Sequence, residues 1–332
     1  MTRIGLLGVG WIGRSRMAAM LATGAVEAAA IVEPSDDMAR EALALAPGAT
    51  RCATLDDMLA MELDGIVIAT PSAGHAAQSI AALNAGAAVF CQKPLGRDRA
   101  EVAAVVAAAR SADRLLSVDL SYRHTAGMQA IAPLVRDGAL GRIYAVDLVF
   151  HNAYGPDKPW FYDRAQSGGG CVMDLGVHLV DLALWTLGFP DVAGPVTSAL
   201  FAKGLPLAGD TVEDFGAVED FGIASFRLAD GPVVRLACSW GLQAGCEAEI
   251  GAAFYGTDGG ASLRNVAGSF YDFVALRHHG TRAVPLASPP DDWGGRAAAD
   301  WAVRLAAGAR FDAQAEQLTL VAGILDRIYR RA

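Results

Sequence analysis

Three residues able to handle protons fall at i, i+4 and i+7 in one short stretch of the chain: Asp174, His178 and Asp181. On a helix that spacing lines them along one stripe, while Leu175, Leu179 and Leu182 form a second stripe that can pack inward. An imidazole titrates near neutral pH and a carboxylate can orient it, so the set suits general acid–base chemistry. Gly168-Gly169-Gly170 immediately ahead reads as a flexible entry to the helix. The plainer alternative is a satisfied helix histidine with a capping carboxylate. Asp181 is expected to be the structural member, holding His178 or nearby backbone.

A second cluster lies at the start of the chain. Gly8-Val9-Gly10-Trp11-Ile12-Gly13 has the form G-x-G-x-x-G, follows a strand pattern and opens a helical one. The first glycine permits a tight turn, the second lets a pyrophosphate approach the backbone, and the third allows close helix–strand packing. A bare match is weak in a chain with 37 glycines; its context makes it a dinucleotide site built from Gly8, Gly10, Trp11, Ile12 and Gly13. Glu33 lies 20 positions after Gly13. An acid there accepts from an adenine ribose and repels a 2′-phosphate, so NAD is favoured over NADP, with Arg14 and Arg16 able to blunt that preference. Thr70-Pro71 and Gln92-Lys93-Pro94 each end a strand pattern, and ligands bind at the carboxyl ends of parallel strands. His75 either faces the cofactor or starts the next helix. Lys93 could donate to a substrate oxygen and stabilise developing negative charge; a solvated surface lysine is the plain alternative.

The elements that must position these residues alternate. Strand patterns cover residues 4–8, 28–32, 65–69, 87–91 and 115–120, with helical patterns at 12–22, 35–45, 76–85 and 99–111 between them. Such alternation predicts a parallel sheet covered on both faces. From about residue 144 the strands at 144–150, 217–227, 233–240 and 248–255 are longer and follow one another through turn signals at 229–232 and 256–260, which predicts a mainly antiparallel sheet. A helix is expected at 171–187 and terminal helices at 296–307 and 313–332. The fold class is therefore α/β, with a dinucleotide-binding domain over 1–120 and a substrate-binding and oligomerisation domain over 121–332, whose terminal helix is free to pack back on the first.

The bulk numbers narrow the partners. The 332 residues are 53% hydrophobic and 19% charged, with a formal net charge of −9, which favours a packed core and disfavours nucleic acid and anionic membranes. Five scattered cysteines without a C-x-x-C pair argue against a disulfide framework and a zinc site. No metal is expected. The first residues run straight into a strand pattern without a signal peptide's architecture, and no apolar run is long enough to span a bilayer. A soluble, cytoplasmic protein is expected.

With these residues in view, the chain resembles the Gfo/Idh/MocA oxidoreductases. Residues 63–75 look like the family's third strand and Thr-Pro-x-x-x-His element, residues 85–95 its Glu-Lys-Pro region, and residues 169–181 its Asp-x-Gly-x-His-x-x-Asp helix. The resemblance implies a Rossmann domain plus an α/β domain with an open, mainly antiparallel sheet, and a homodimer or homotetramer, often assembled through that sheet's exposed face. It implies catalytic roles for Lys93, Asp174 and His178, a cis Lys93–Pro94 bond, cofactor contacts from Thr70, Pro71, His75, Gln92 and Lys93, and substrate contacts that include Tyr122 and Arg123. One departure is Gln92, where the family usually has Glu; this removes a charge that would favour the ammonium form of Lys93.

The expected activity is hydride transfer between a nicotinamide, NAD or NADP, and a secondary alcohol or ketone of a sugar, cyclitol or polyol. Two alternatives stay open: a redox-neutral NAD-dependent glycosidase or lyase, and a non-enzymatic nucleotide-sensing regulator on the same fold. Substrate contacts are expected from residues 144–162, where Trp160-Phe161-Tyr162 could stack on a sugar ring or pack internally.

Overall fold

The computed structural model describes residues 1–207, 217–229 and 231–330. Asp230 of the 229–232 turn and the last two residues of the expected terminal helix lie outside them. The chain runs β1 (Thr2–Leu7), α1 (Trp11–Ala22), β2 (Val26–Val32), α2 (Asp36–Leu45), β3 (Thr50–Cys52), α3 (Leu55–Leu59), β4 (Gly65–Ile68), α4 (Ser72–Asn84), β5 (Ala88–Cys91), α5 (Arg99–Ala112) and β6 (Leu116–Val118). It continues through α6 (Ala126–Arg136), β7 (Ile143–Asn152), α7 (Arg164–Ser167), a π-helical turn (Val172–Gly176) and α8 (Val177–Thr186). Then come β8 (Val192–Ala202), β9 (Leu205–Pro206), β10 (Phe221–Leu228), β11 (Val233–Ser239), β12 (Ala248–Gly256), β13 (Gly260–Asn265), β14 (Phe273–His279) and β15 (Arg282–Ala287). Helices α9 (Arg296–Ala306) and α10 (Gln317–Ile328) close it. Several helix starts carry a side-chain cap: Ser35 accepts from Met38 N–H, Asp98 from Glu101 N–H and Thr125 from Met128 N–H.

The described chain divides into two compact units, Met1–Ser121 with Gly295–Thr319, and Tyr122–Gly294 with the residues from Leu320 onward. In the first, six parallel strands stand in the order β3-β2-β1-β4-β5-β6. The order reverses between β1 and β4, and ligands of such sheets bind at that switch point, beyond the carboxyl ends of the strands. Ile4, Leu6, Ile31 and Phe90 are fully buried, and Trp301 of α9 lies 5.8 Å from the Phe90 ring. A Cβ on Gly65 would meet the Trp301 ring at 2.7 Å, which is why a glycine opens β4.

The second unit holds a nine-stranded sheet in the order β15-β14-β13-β12-β7-β11-β10-β8-β9. It is antiparallel except for the β7–β11 pair. Alternate residues (Val146, Leu148, Phe150, Leu236, Ala252 and Phe254) are buried in a core shared with Leu179 and Val180 of α8. The opposite face carries the Asp147–Arg235 ion pair at 2.7 Å and exposed Ile223 and Tyr255. Two expectations shift. The strand expected over 217–227 begins only at Phe221, because Glu219 turns its carbonyl and side chain toward the start of the π turn. The helix expected at 171–187 opens as a π turn rather than an α turn.

Candidate active site

In the first unit the glycine loop, Thr70 and Lys93 stand at the carboxyl ends of β1, β4 and β5, three neighbours in the sheet. Gly8 has φ +85°, and a Cβ there would lie 2.5 Å from the Ala69 carbonyl oxygen, so only glycine lets the loop rest on the end of β4. A Cβ on Gly13 would lie 2.3 Å from the Gly8 carbonyl oxygen, so this glycine seats α1 on the loop. At Gly10 the nearest neighbour is Met38 Sδ at 3.8 Å, and no side chain caps the start of α1. The protein's own packing leaves that space open beside the first-turn amides of α1, where a pyrophosphate is best held. Trp11 is exposed and Ile12 half-buried at the same helix end. The loop therefore fits a dinucleotide.

Glu33 braces the loop: its Oε2 accepts from Val9 N–H at 2.9 Å and its Oε1 from Ser35 N–H at 3.0 Å. Each oxygen retains a lone pair, which leaves acceptor capacity for ribose hydroxyls. Arg14 pairs with Glu41 at 2.5 Å, and Arg16 is buried against Asp119 at 2.6 Å. Arg16 thus serves the interior and does not offset Glu33.

His75 stands at the start of the next helix, one of the two expectations. It lies in the first turn of α4, 1% exposed, with Nδ1 2.6 Å from the Pro94 carbonyl oxygen and Nε2 2.8 Å from that of Thr70. The ring lies between the loops that end β4 and β5, and burial pushes its pKa below the ordinary value. The neutral ring has one N–H and donates to one of these two carbonyls. The Thr70 hydroxyl donates to Gln78 Oε1 at 2.6 Å, and Pro71 is exposed.

Gln92 is 8% exposed and donates from Nε2 to Asp119 Oδ2 at 2.7 Å, the same oxygen that receives Arg16. Asp119 therefore brings a carboxylate to this buried corner, and the amide at position 92 is its donor rather than a second acid. We expect Gln92→Glu to lower stability by about 1–3 kcal/mol, since two buried acceptors would then face each other. Urea unfolding reads the loss; no loss in this variant would contradict the account. Lys93 is half-buried, and the Lys93–Pro94 bond is cis.

In the second unit Asp174 sits in the π turn, half-exposed, and its Oδ2 accepts from the Trp240 indole N–H at 3.1 Å. Trp240 in turn meets Tyr162 edge-on at 5.6 Å and Phe161 at 6.3 Å, while Trp160 stacks on Phe161 at 3.8 Å. His178 is buried, edge-on to Tyr122 at 4.9 Å and tilted against Phe150 at 6.4 Å. Tyr122 also meets Trp293 at 4.8 Å and Phe273 at 6.0 Å, and burial drives its phenol pKa far upward. Tyr122 thus forms the wall that fixes the imidazole plane.

Asp181, expected to be the structural member, is 1% exposed and takes two hydrogen bonds from Arg123, the Nε contact being 2.7 Å. Arg123 is held by that pair and lies 5.5 Å over the Phe189 ring. The glycine run is not a flexible hinge. Gly168, Gly169 and Gly170 are all buried, and a Cβ on Gly170 would lie 1.9 Å from the Glu219 carbonyl oxygen. Trp240 and Glu219 went unnoticed in the sequence. Their signal is only that each flanks a strand, Trp240 at the end of β11 and Glu219 before β10.

Comparison with known proteins follows the same division. Residues 2–120 match the family model described as oxidoreductase family, NAD-binding Rossmann fold, and residues 128–262 match the GFO/IDH/MocA C-terminal domain. A protein of Amycolatopsis mediterranei, provisionally named UDP-kanosamine synthase oxidoreductase subunit, is 32% identical over 72% of this chain and 68% of its own length. D-glucoside 3-dehydrogenase of Escherichia coli is 26% identical over 70% of this chain and 69% of its own. Inositol 2-dehydrogenase of Rhizobium meliloti is 30% identical over 63% and 62%. Among solved structures, levoglucosan dehydrogenase in complex with NADH superposes with a TM-score of 0.81 over 98% of this chain and 95% of that one, at 21% identity, a likeness of fold. With its glycine loop, its cis Lys93–Pro94 bond and its Asp174/His178 helix each inside a matched segment, the chain belongs to the Gfo/Idh/MocA family of oxidoreductases and carries that family's NAD-binding Rossmann domain.

Proposed function

We propose that the protein is an NAD-dependent dehydrogenase acting on a secondary hydroxyl of a sugar, cyclitol or related polyol, or on the corresponding ketone. The observation that carries this reading is Lys93 at the end of β5, on a strand beside the one that ends at Thr70 and two from the strand that feeds the glycine loop. Glu33, fixed at the end of β2, favours NAD over NADP. The named relatives that act on glucosides and inositol support the substrate class. The first unit is the cofactor-binding part and the second the substrate-binding part.

A dinucleotide held by the glycine loop and Glu33 would supply the hydride acceptor for the carbon-bound hydrogen. In the oxidative direction His178 takes the hydroxyl proton, its ring plane set by Tyr122 and Phe150. Lys93 is the donor that stabilises negative charge on the substrate oxygen. Asp174, held from one side by the Trp240 indole N–H, accepts from a neighbouring hydroxyl and orients the ring. Tyr162, exposed beside the buried Trp240, offers an aromatic face suited to the C–H side of a sugar. The reading includes a homodimer or homotetramer formed on the outer sheet face bearing Ile223 and Tyr255, and a cytoplasmic setting in keeping with five free thiols. The reading includes neither nucleic acid nor membrane as a partner, in keeping with the net charge of −9; among the described residues no helix is long and apolar enough to cross a membrane.

The test is reduced-nicotinamide absorbance with NAD and with NADP across cyclitols, aldoses and glycosides. Turnover on one substrate group, higher with NAD, is the expected result. Cleavage of a glycoside with no net change in absorbance would replace the dehydrogenase by a redox-neutral enzyme. Binding of NAD with no turnover on any member of the panel would overturn the reading.

A further inference from the structure

The helix that carries Asp174 and His178 begins on a device that the reaction above does not use. The first amides of a helix have no acceptor within it and are ordinarily met by one N-cap side chain. Cys171 at the N-cap supplies none. Instead Glu219 Oε1 accepts from Gly170 N–H at 2.9 Å and from Val172 N–H at 3.0 Å, and the Glu219 carbonyl accepts from Cys171 N–H at 2.9 Å. The Tyr329 hydroxyl accepts from Met173 N–H at 3.0 Å and donates to Glu219 Oε1 at 2.6 Å. Four consecutive amides, from Gly170 to Met173, thus end on two residues that are distant in sequence.

The fit is close and costly. Glu219 and Tyr329 are both fully buried. A Cβ on Gly169 would lie 2.1 Å from the Tyr329 hydroxyl, so the glycines exist to admit these groups. Glu219 Oε2 has no partner among the described residues, and an unsatisfied buried oxygen costs folding free energy. Directly after the clamped amides the helix takes its wide turn, with Val177 N–H donating to the Val172 carbonyl five residues back. π turns are rare and favour functional sites.

We propose that Glu219 and Tyr329 are positioning residues: by clamping residues 170–173 they hold the wide turn and so fix Asp174 against Trp240 and His178 against Tyr122. The proposal rests on the reading of Asp174 and His178 as reacting groups. Trp240 donates to Asp174, so its indole N–H reports the placement of the carboxylate without substrate or cofactor.

The experiment is Tyr329→Phe, which keeps the ring and removes the hydroxyl. Three quantities are read: the Trp240 indole N–H resonance, assigned among the six tryptophans with Trp240→Phe; kcat and KM; and the unfolding midpoint. The expected result is a shifted Trp240 resonance and a kcat lower by about 10- to 100-fold, with KM for NAD unchanged. Glu219→Gln keeps an acceptor oxygen for the amides and should show the same pattern more weakly; it is the variant to read if Tyr329→Phe does not fold. A lower midpoint with the Trp240 resonance and kcat unchanged would mean a structural clamp only, and the proposal falls. A wild type that is silent on the substrate panel overturns the dehydrogenase, while the Trp240 resonance still decides the positioning.

Discussion

Lys93→Ala is expected to lower kcat by about 10²- to 10⁴-fold, the range for removing a positioned proton-handling or charge-stabilising group. The loop around it should survive, because other residues hold it. His75 lies against the Pro94 carbonyl, and Gln92 is fixed on Asp119 in the buried corner that Arg16 completes. NADH affinity, measured by titration calorimetry, should therefore change little, since the glycine loop and Glu33 are untouched. Lys93→Arg should not rescue turnover, because the planar guanidinium cannot replace a compact ammonium at one oxygen. Turnover near that of the wild type in Lys93→Ala would remove Lys93 from the reaction, and with it the observation that carries the proposed function.

Gly170→Ala should act on folding rather than on chemistry. Its Cβ would lie 1.9 Å from the Glu219 carbonyl oxygen, a backbone atom that cannot swing aside as the end of a flexible side chain can. Either Glu219 moves, breaking its hydrogen bonds to Gly170, Cys171 and Val172, or the glycine run does. A loss of about 3 kcal/mol or more is expected, at the upper end for overpacking a core, and urea unfolding reads it directly. Gly48→Ala is the control: it is exposed, has nothing within 4 Å of the added carbon, and should be neutral or slightly stabilising. Equal stability of the two variants would show that the close approach of Glu219 is not a constraint on this fold.

The first unit was largely legible because its signals are local. Alternation of buried strand and amphipathic helix, with caps such as Ser35 ahead of Asp36–Leu45, brought most elements there to within a few residues of their observed bounds. The roles given to Gly8, Gly10 and Gly13 also follow from sequence, since each depends on a turn and a helix start a few residues long. The short β3 escaped, as did β8, whose Gly194 and Pro195 break the pattern and whose residues are mostly half-buried or exposed.

Partnership was not legible at all. Asp174, His178 and Asp181 share a helix, as their spacing requires, but their surroundings come from elsewhere: Trp240 for Asp174, Tyr122 and Phe150 for His178, Arg123 for Asp181. A triple glycine looks the same in sequence whether it bends freely or is packed solid, and only the approach of Glu219 and Tyr329 shows which it is. Gln92 likewise looks like a lost charge until Asp119 appears beside it. From sequence came most elements of the first unit, the glycine turn after β1 and the identity of the chemical groups, because backbone sterics and hydrophobic periodicity act over a few residues. Only the tertiary structure decided which group each one faces, because burial and hydrogen bonding join residues that the chain keeps far apart.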